Sequence, residues 1–400
     1  MDAEEARTIG GRIRQIRKAR DKSQAVIAGL AGISTATLSR IEAGEHALDS
    51  LSLIVALANA LEVPPSELTR LPVPAPANGH TDSTTEAVRL ALDAIDVDKP
   101  GGLVVPSEVL RDRVAQIHQQ RRASQFAEFA AALPGLIRDL HTTLGIGRDH
   151  GELLDLAVYL HVHVTRFFLI EAAAPADLLR RIAFLARRLA QQRDEATTLA
   201  LAGFGVADVL LSGGAFDLGQ AELDSLTLPP TTVGTVGLTG QVTALHAWSA
   251  VLTGRPADAD APLDAAGELA ERLGATGETD SVGYAYGPDN HGVTRMHLAL
   301  EVGEPDQAVG VAQQVHPDRF PFLVNQSAYW FHYGRALARV GRRHDDAVKA
   351  LRTAEDLMPT RVRRDAIFRD VIAELLGHSR RDSPMDRELR GMAYRVGLPV

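Results

Sequence analysis

From Gln24 to Gly44 the chain reads Gln-Ala-Val-Ile-Ala-Gly-Leu-Ala-Gly-Ile-Ser-Thr-Ala-Thr-Leu-Ser-Arg-Ile-Glu-Ala-Gly, an order that few folds accommodate. Helical spacing holds from Gln24 to Leu30 and again from Thr35 to Ala43. The interruption, Ala31-Gly32-Ile33, is too short for a strand or a wandering loop. Gly32 can take positive φ without a Cβ clash, so it can reverse the chain at once. Ser34 stands where a helix start needs a side-chain acceptor, and Gly44 where the second helix must stop. Two short helices held at such an angle need an apolar inner face, which Ile27, Ile33, Leu38 and Ile41 supply. Ile9, Ile13 and Ile16 stripe a preceding basic helix, and Leu51, Leu53, Ile54, Leu57 and Leu61 stripe a following one. Val63-Pro-Pro-Ser-Glu-Leu68 closes the unit. The spacing predicts a head of about five helices over residues 1–70.

Two helices joined by a three-residue glycine turn form a helix-turn-helix. Its charge is unlike that of the rest. Residues 7–40 hold eight Lys and Arg against Asp21 alone, a local +7, whereas the 400-residue chain carries −9 and residues 41–400 carry −13. The overall balance argues against a protein that coats nucleic acid indiscriminately, while a basic head suits local contact with phosphates. The absence of cysteine excludes disulfides, thiolate catalysis and cysteine-ligated metals. No uninterrupted run of 18 apolar residues occurs, so no membrane partner is expected. Met1-Asp-Ala-Glu-Glu-Ala-Arg7 lacks the basic-then-apolar order of a signal peptide, and the expected location is the cytoplasm.

Taken in order, the turn glycine, the serine cap, Arg40-Ile-Glu-Ala-Gly44 and Val63-Pro-Pro-Ser-Glu-Leu68 resemble the DNA-binding domain of the Cro/phage-repressor family, often called XRE. The resemblance covers residues 9–68, about one-sixth of the chain. It implies that Gln24 anchors DNA at the start of the second helix. It also implies that Ser34, Thr35, Ala36 and Thr37 meet base edges in the major groove, with Arg40 one turn further on. The Arg40 guanidinium suits guanine O6/N7 and a phosphate equally well. Arg14 and Lys22, with Arg12, Lys18 and Arg20, suit sequence-independent phosphate attraction, or a merely solvated face. A family ion pair maps onto Arg17 and Glu42, with a structural role. One departure is Glu45-His-Ala-Leu-Asp49, where many relatives carry a proline and often a base; its acids are expected to weaken backbone contact there. One such domain covers about one half-site, which implies a homodimer on an inverted-repeat duplex.

Residues 71–85, with alternating prolines and then small polar residues, read as an extended linker that leaves dimerisation to the body. Across residues 86–400 apolar residues recur at helical spacing, as in Leu153, Leu154, Ala157, Leu160 and Val164. Only residues 100–106 look extended, with no evident partner strand. Helix, glycine, short polar turn and helix recur at Gly213, Gly254, Gly303 and Gly341, at irregular intervals of 41, 49 and 38 residues. The stretch from Ser327 to Pro359 resembles a tetratricopeptide repeat, with small residues at a helix crossing and a closing proline. The expected fold is all-α, a helix-turn-helix head on a TPR-like α-solenoid. A generic helical bundle is the plainer alternative for the body.

No catalytic or phosphate-binding signature occurs, and no cofactor, metal or enzymatic activity is expected. His161 and His163 lie two apart, on different helix faces, a poor metal pair. Asn290, Thr294 and His297 on one helix, with Tyr329, His332 and Tyr333 on the next, would line a concave surface fit for a small molecule or peptide. The alternative is that the tyrosines only pack and that Asn290 caps a helix. Tyr286-Gly-Pro-Asp-Asn290, Arg361-Val-Arg-Arg-Asp365 and Arg387-Glu-Leu-Arg-Gly391 resemble actinobacterial regulators with an XRE head and a TPR-like body. That resemblance implies a transcription regulator without naming its effector. A DNA-tethered scaffold for protein partners, lacking a small-molecule effector, stays open beside it.

Overall fold

The computed structural model describes residues 8–69, 79–147, 149–274, 286–341, 343–379 and 384–399, and among them the regular structure is helical throughout. The head contains α1 (Ile9–Ala19), α2 (Gln24–Leu30), α3 (Thr35–Ala43), α4 (Leu51–Ala60) and α5 (Pro65–Thr69). Side-chain caps start the first four. Thr8, Ser23, Ser34 and Ser50 each accept from a backbone N–H of the first turn. Gly32 turns the chain at φ +71°. Ile13, Ile27, Leu38, Ile41, Leu57 and Leu61 form the buried centre. Here α1 and α3 touch backbone to backbone, since a Cβ on Gly10 would lie 1.9 Å from the Ile41 carbonyl oxygen.

The body runs through α6 (Gly79–Asp96), α7 (Ser107–Arg122), α8 (Phe126–Leu144) and α9 (His150–Tyr159). A π-helical turn, Leu160–Thr165, joins α9 to α10 (Arg166–Glu171). Then come α11 (Ala176–Arg193), α12 (Ala196–Ser212), α13 (Phe216–Asp224), α14 (Val233–Leu252) and α15 (Asp260–Leu273). After them follow α16 (Pro288–Glu301), α17 (Pro305–Ala312), α18 (Leu323–Arg339) and α19 (His344–Leu357). The last three are α20 (Pro359–Arg363), α21 (Ala366–His378) and α22 (Pro384–Arg395). Most helices pack on their chain neighbours, as repeat arrays do. Gly214, Gly254 and Gly303 turn between paired helices at positive φ. The irregular spacing follows from unequal helices and connections: α13 and α14 have 9 and 20 residues, α15 and α16 have 14 each, α17 and α18 have 8 and 17, and the connection from Leu273 to Pro288 is the longest of the set.

The array curls until its late part meets its early part. Helix α20 packs on α10, and Arg364 Nη1 donates to the Ala172 carbonyl at 3.2 Å. The Arg121 guanidinium lies between the rings of Phe167 (4.3 Å) and Phe322 (4.2 Å).

Two expectations meet a different structure, and a third agrees with it. Helix α6 starts at Gly79, so residues 79–85 of the expected linker are helical, while 71–78 lie outside the described residues. Beyond Pro76 no residue blocks a helix, and Val88, Ala91 and Leu92 bury its apolar side. Residues 100–106 form neither helix nor strand, with Gly101 at φ +68°, and, as expected, pair with no strand. Their N–H groups donate to α8 side chains, from Gly102 to Thr142 Oγ1, Leu103 to Asp139 Oδ1 and Val105 to Thr143 Oγ1. The helical run His150–Glu171 is long and apolar enough to cross a membrane by length and composition, and most of it is buried in the body. Counting uninterrupted runs overlooked it, because His161, His163 and Arg166 break the run yet are themselves buried.

Candidate nucleic-acid interface and effector cavity

The start of α3 is held rigidly and left open. Ser34 Oγ accepts from the Thr37 N–H at 3.0 Å and lies 2.8 Å from Thr37 Oγ1. Ser34, Thr35 and Ala36 are exposed, and Thr37 is half-buried. Behind them Arg17 grips Glu42 with a two-pronged fork, Nε to Oε1 at 2.6 Å and Nη2 to Oε2 at 2.7 Å. Gln24 Nε2 donates to Glu42 Oε2 at 2.8 Å, so its amide is turned toward the carboxylate. Burial alone would raise the Glu42 carboxyl. The hydrogen bonds from Arg17 and Gln24, with the charges of Arg17 and Arg14, outweigh it and hold the group below the usual range. Arg17 Nη1 also donates to the Lys22 carbonyl at 2.8 Å, which ties α1 to the start of α2.

The cations divide into two sets. Arg12 is committed to Glu67, and Arg20 to Glu62 at 3.2 Å. Arg14, Lys18, Lys22 and Arg40 are exposed and make no ion pair among the described residues.

The head rests on the body through paired charges and satisfied amides. Asp370 accepts from the N–H of Ile9 (2.9 Å) and of Leu48 (3.0 Å), and Glu374 from that of Ala47 (3.0 Å). Glu301 accepts from Ser50 Oγ, the Leu51 N–H and the Ser52 N–H at 2.7–3.1 Å, which adds an acidic group at the N-terminus of α4. Arg339 reaches Asp49 at 3.1 Å and the Ala47 carbonyl at 2.7 Å. Arg335 donates to the Asp49 carbonyl at 2.6 Å and pairs with its carboxylate at 3.5 Å. The two acids of the loop after Gly44 therefore part: Glu45 is exposed, and Asp49 is turned inward. Asp49 is buried against two arginines of α18, and its charge is neutralised there.

Below this contact lies a cavity of about 500 Å³ bordered by head and body together. Of the six residues singled out for ligand binding, Thr294, His297 and His332 line it, and Asn290, Tyr329 and Tyr333 do not. Tyr329 is buried elsewhere, donating its hydroxyl to the Ala312 carbonyl at 3.1 Å, and Tyr333 stacks on it at 5.9 Å. Asn290 contributes its carbonyl to the Thr294 hydroxyl at 3.2 Å. His297 and His332 stack at 4.8 Å. Burial pushes His297 down to about 4 and His332 well below its ordinary value, so both are neutral near pH 7. His332 Nδ1 faces Arg335 Nη1 at 3.1 Å and must accept from it, which leaves the imidazole proton on Nε2.

Sequence reasoning gave no ligand role to Trp248, Phe331, Arg335 and Arg361, which also line the cavity. Arg361 belongs to the basic run Arg361-Val-Arg-Arg, but its helix, five residues long, is too short to show which way it faces. Tyr286 is a core residue under α14, where a Cβ on Gly240 would lie 2.5 Å from its ring. The other histidines diverge as their spacing suggested. His161 meets His141, Nε2 to Nε2 at 2.8 Å, while His163 packs on Tyr159. Among the described residues no cluster of three or more His, Asp or Glu is placed to hold a metal.

By sequence, residues 8–71 match a family model described as a helix-turn-helix domain. No curated protein matches the chain. Among solved structures it is similar to Bacillus thuringiensis PlcR in complex with the peptide PapR7 and DNA, at 12% identity and a TM-score of 0.29, over 90% of this chain and 99% of that one. It is also similar to the apo form of the competence regulator ComR from Streptococcus vestibularis, at 13% identity and a TM-score of 0.25, over 98% and 99% of the two chains. ComR from S. thermophilus, in complex with DNA and its signalling peptide ComS, matches at 15% identity and a TM-score of 0.23, over 98% of this chain and 100% of that one. Scores this low carry no weight for what this chain binds.

Proposed function

We propose that this chain is a sequence-specific DNA-binding transcription regulator whose body holds an effector. The observation that carries the reading is the start of α3: Ser34, Thr35 and Ala36 are exposed on a capped helix braced from behind by Arg17 and Glu42. In this reading Thr35, Ala36 and Thr37 meet base edges, with Ser34 fixing the helix start. Arg14, Lys22 and Arg40, which make no ion pair among the described residues, meet phosphates or a guanine. Gln24 serves as a DNA anchor only if its amide leaves Glu42. Two copies of the chain occupy an inverted repeat.

The effector part of the reading rests on shared residues. Asp49, Leu51 and Glu301 border the cavity, and Glu301 also bonds the start of α4. A ligand there acts on DNA affinity to the extent that it binds two head arrangements unequally. Footprinting of the full chain across the DNA upstream of its own coding sequence tests the first half. The expected result is a protected palindrome, with half-site centres about 34–36 Å apart or a multiple of that, and protection that weakens steeply with salt. A folded sample that protects no duplex at low salt overturns the reading.

A further inference from the structure

We infer that the cavity between head and body is a receptor site for a carboxylate attached to a small apolar group, with Arg361 as its anchor. The inference deepens the effector half of the proposed function and rests on it.

The cavity contains several charges, and all but one are already answered. Asp208 pairs with Arg166, Asp49 with Arg335 and Arg339, and Glu301 with two amides and a hydroxyl of the head. Asp365 caps α21 by accepting from the Phe368 N–H at 2.9 Å. Arg361 remains. It lines the cavity and makes no hydrogen bond or ion pair among the described residues. Burial works against its charge, and the carboxylates of Asp365, Glu171 and Asp208 favour it only from a distance. A half-buried guanidinium facing a cavity without a partner is poorly compensated, and a planar anion with two acceptor oxygens fits its fork.

Two further polar groups on the wall fit the same chemistry. The Trp248 Nε1–H is buried without an acceptor. His332 offers a proton on Nε2, because its Nδ1 is taken by Arg335. Both groups, like Arg361, are donors, and a ligand that meets them supplies acceptors. The apolar wall comes from Phe204, Phe331 and the Trp248 indole, which packs 5.4 Å from His297. A volume of about 500 Å³ suits a small molecule or the end of a short peptide.

The test is calorimetric titration of the full chain without DNA, using matched probes. One pair is naphthylacetate and naphthylacetamide, and the other is trileucine and trileucine amide. The expected result is that at least one acid binds about tenfold or more tightly than its amide. A preference confined to naphthylacetate assigns the site to free organic acids, and one confined to trileucine assigns it to a peptide C-terminus. Arg361→Gln should erase the preference while leaving the thermal midpoint unchanged or higher, and Arg361→Lys should retain part of it. Acids that bind no better than their amides, or a preference that survives in Arg361→Gln, overturn the inference. Footprinting of the same variant separates the two levels. Retained operator protection with no carboxylate preference removes the ligand assignment and leaves the DNA-binding reading standing.

Discussion

Asp370→Ala measures how firmly the head is held. In the wild-type chain one carboxylate satisfies two buried amides, Ile9 at the start of α1 and Leu48 in the loop before α4. Alanine leaves both without an acceptor. At about 1–2 kcal/mol per unsatisfied buried donor, the pair costs about 2–4 kcal/mol. Hydrogen exchange at Ile9 and Leu48 should then accelerate by roughly 30- to 1,000-fold, with amides in α12 as the unaffected reference. Asp370→Asn keeps one acceptor oxygen, so one of the two amides should stay protected. Burial, reinforced by Asp49, pushes the Asp370 carboxyl up to about 6 against the two amides and Arg369, which favour the charged form. In the unfolded chain the same group titrates near about 4. The folded value is the higher one, so its stabilising contribution is complete below pH ~4 and is lost as the pH rises through ~6. That loss amounts to about 3 kcal/mol. The asparagine variant lacks this slope. Unchanged exchange at both amides in the alanine variant, or equal pH slopes for wild type and asparagine variant between about pH 4 and 6.5, would refute the reasoning.

Three other substitutions separate roles. Arg40→Ala should cost about 1–3 kcal/mol and relax operator choice if the side chain reads a guanine; a loss spread equally over all sequences in a binding titration makes it a phosphate contact. Arg17→Ala strands the buried Glu42 carboxylate and should destabilise the head by about 3 kcal/mol, while Arg17→Met with Glu42→Leu should recover most of it; lost DNA binding with unchanged melting contradicts the structural assignment. Tyr329→Phe removes the hydroxyl bonded to Ala312 and should lower stability by about 1 kcal/mol in denaturant titration, with probe affinity in the cavity unchanged.

What could be read from the residues was the part whose causes are local. Ser34, Gly32 and Gly44 set the ends of α2 and α3 by capping and turn chemistry, and those ends agree with the structure to the residue. The cavity was half legible. Thr294 and His297 share a face of α16, and His332 lies on α18, but a stripe at i, i+3 and i+4 identifies neighbours without saying which neighbour they meet. Tyr329 turned to α17 and His332 to α16. The seat of the head on the body had no local signal at all. Asp49 and Asp370 are 321 positions apart in the chain, and nothing around Asp49 distinguishes an acid facing DNA from one facing a folded partner surface.

The contact of α20 with α10 changes what kind of array this is. In an open solenoid each unit leans only on its neighbours, so the array can be shortened from an end and the far units do not register the loss. Here Arg364 bonds to Ala172, 192 positions earlier, and Phe322 covers Arg121. Cutting away α20 to α22 would therefore strip support from the first half of the body as well. Such a closed loop should assemble and melt as one object, and more slowly than a row of independent pairs, because its last clasp joins segments 192 positions apart.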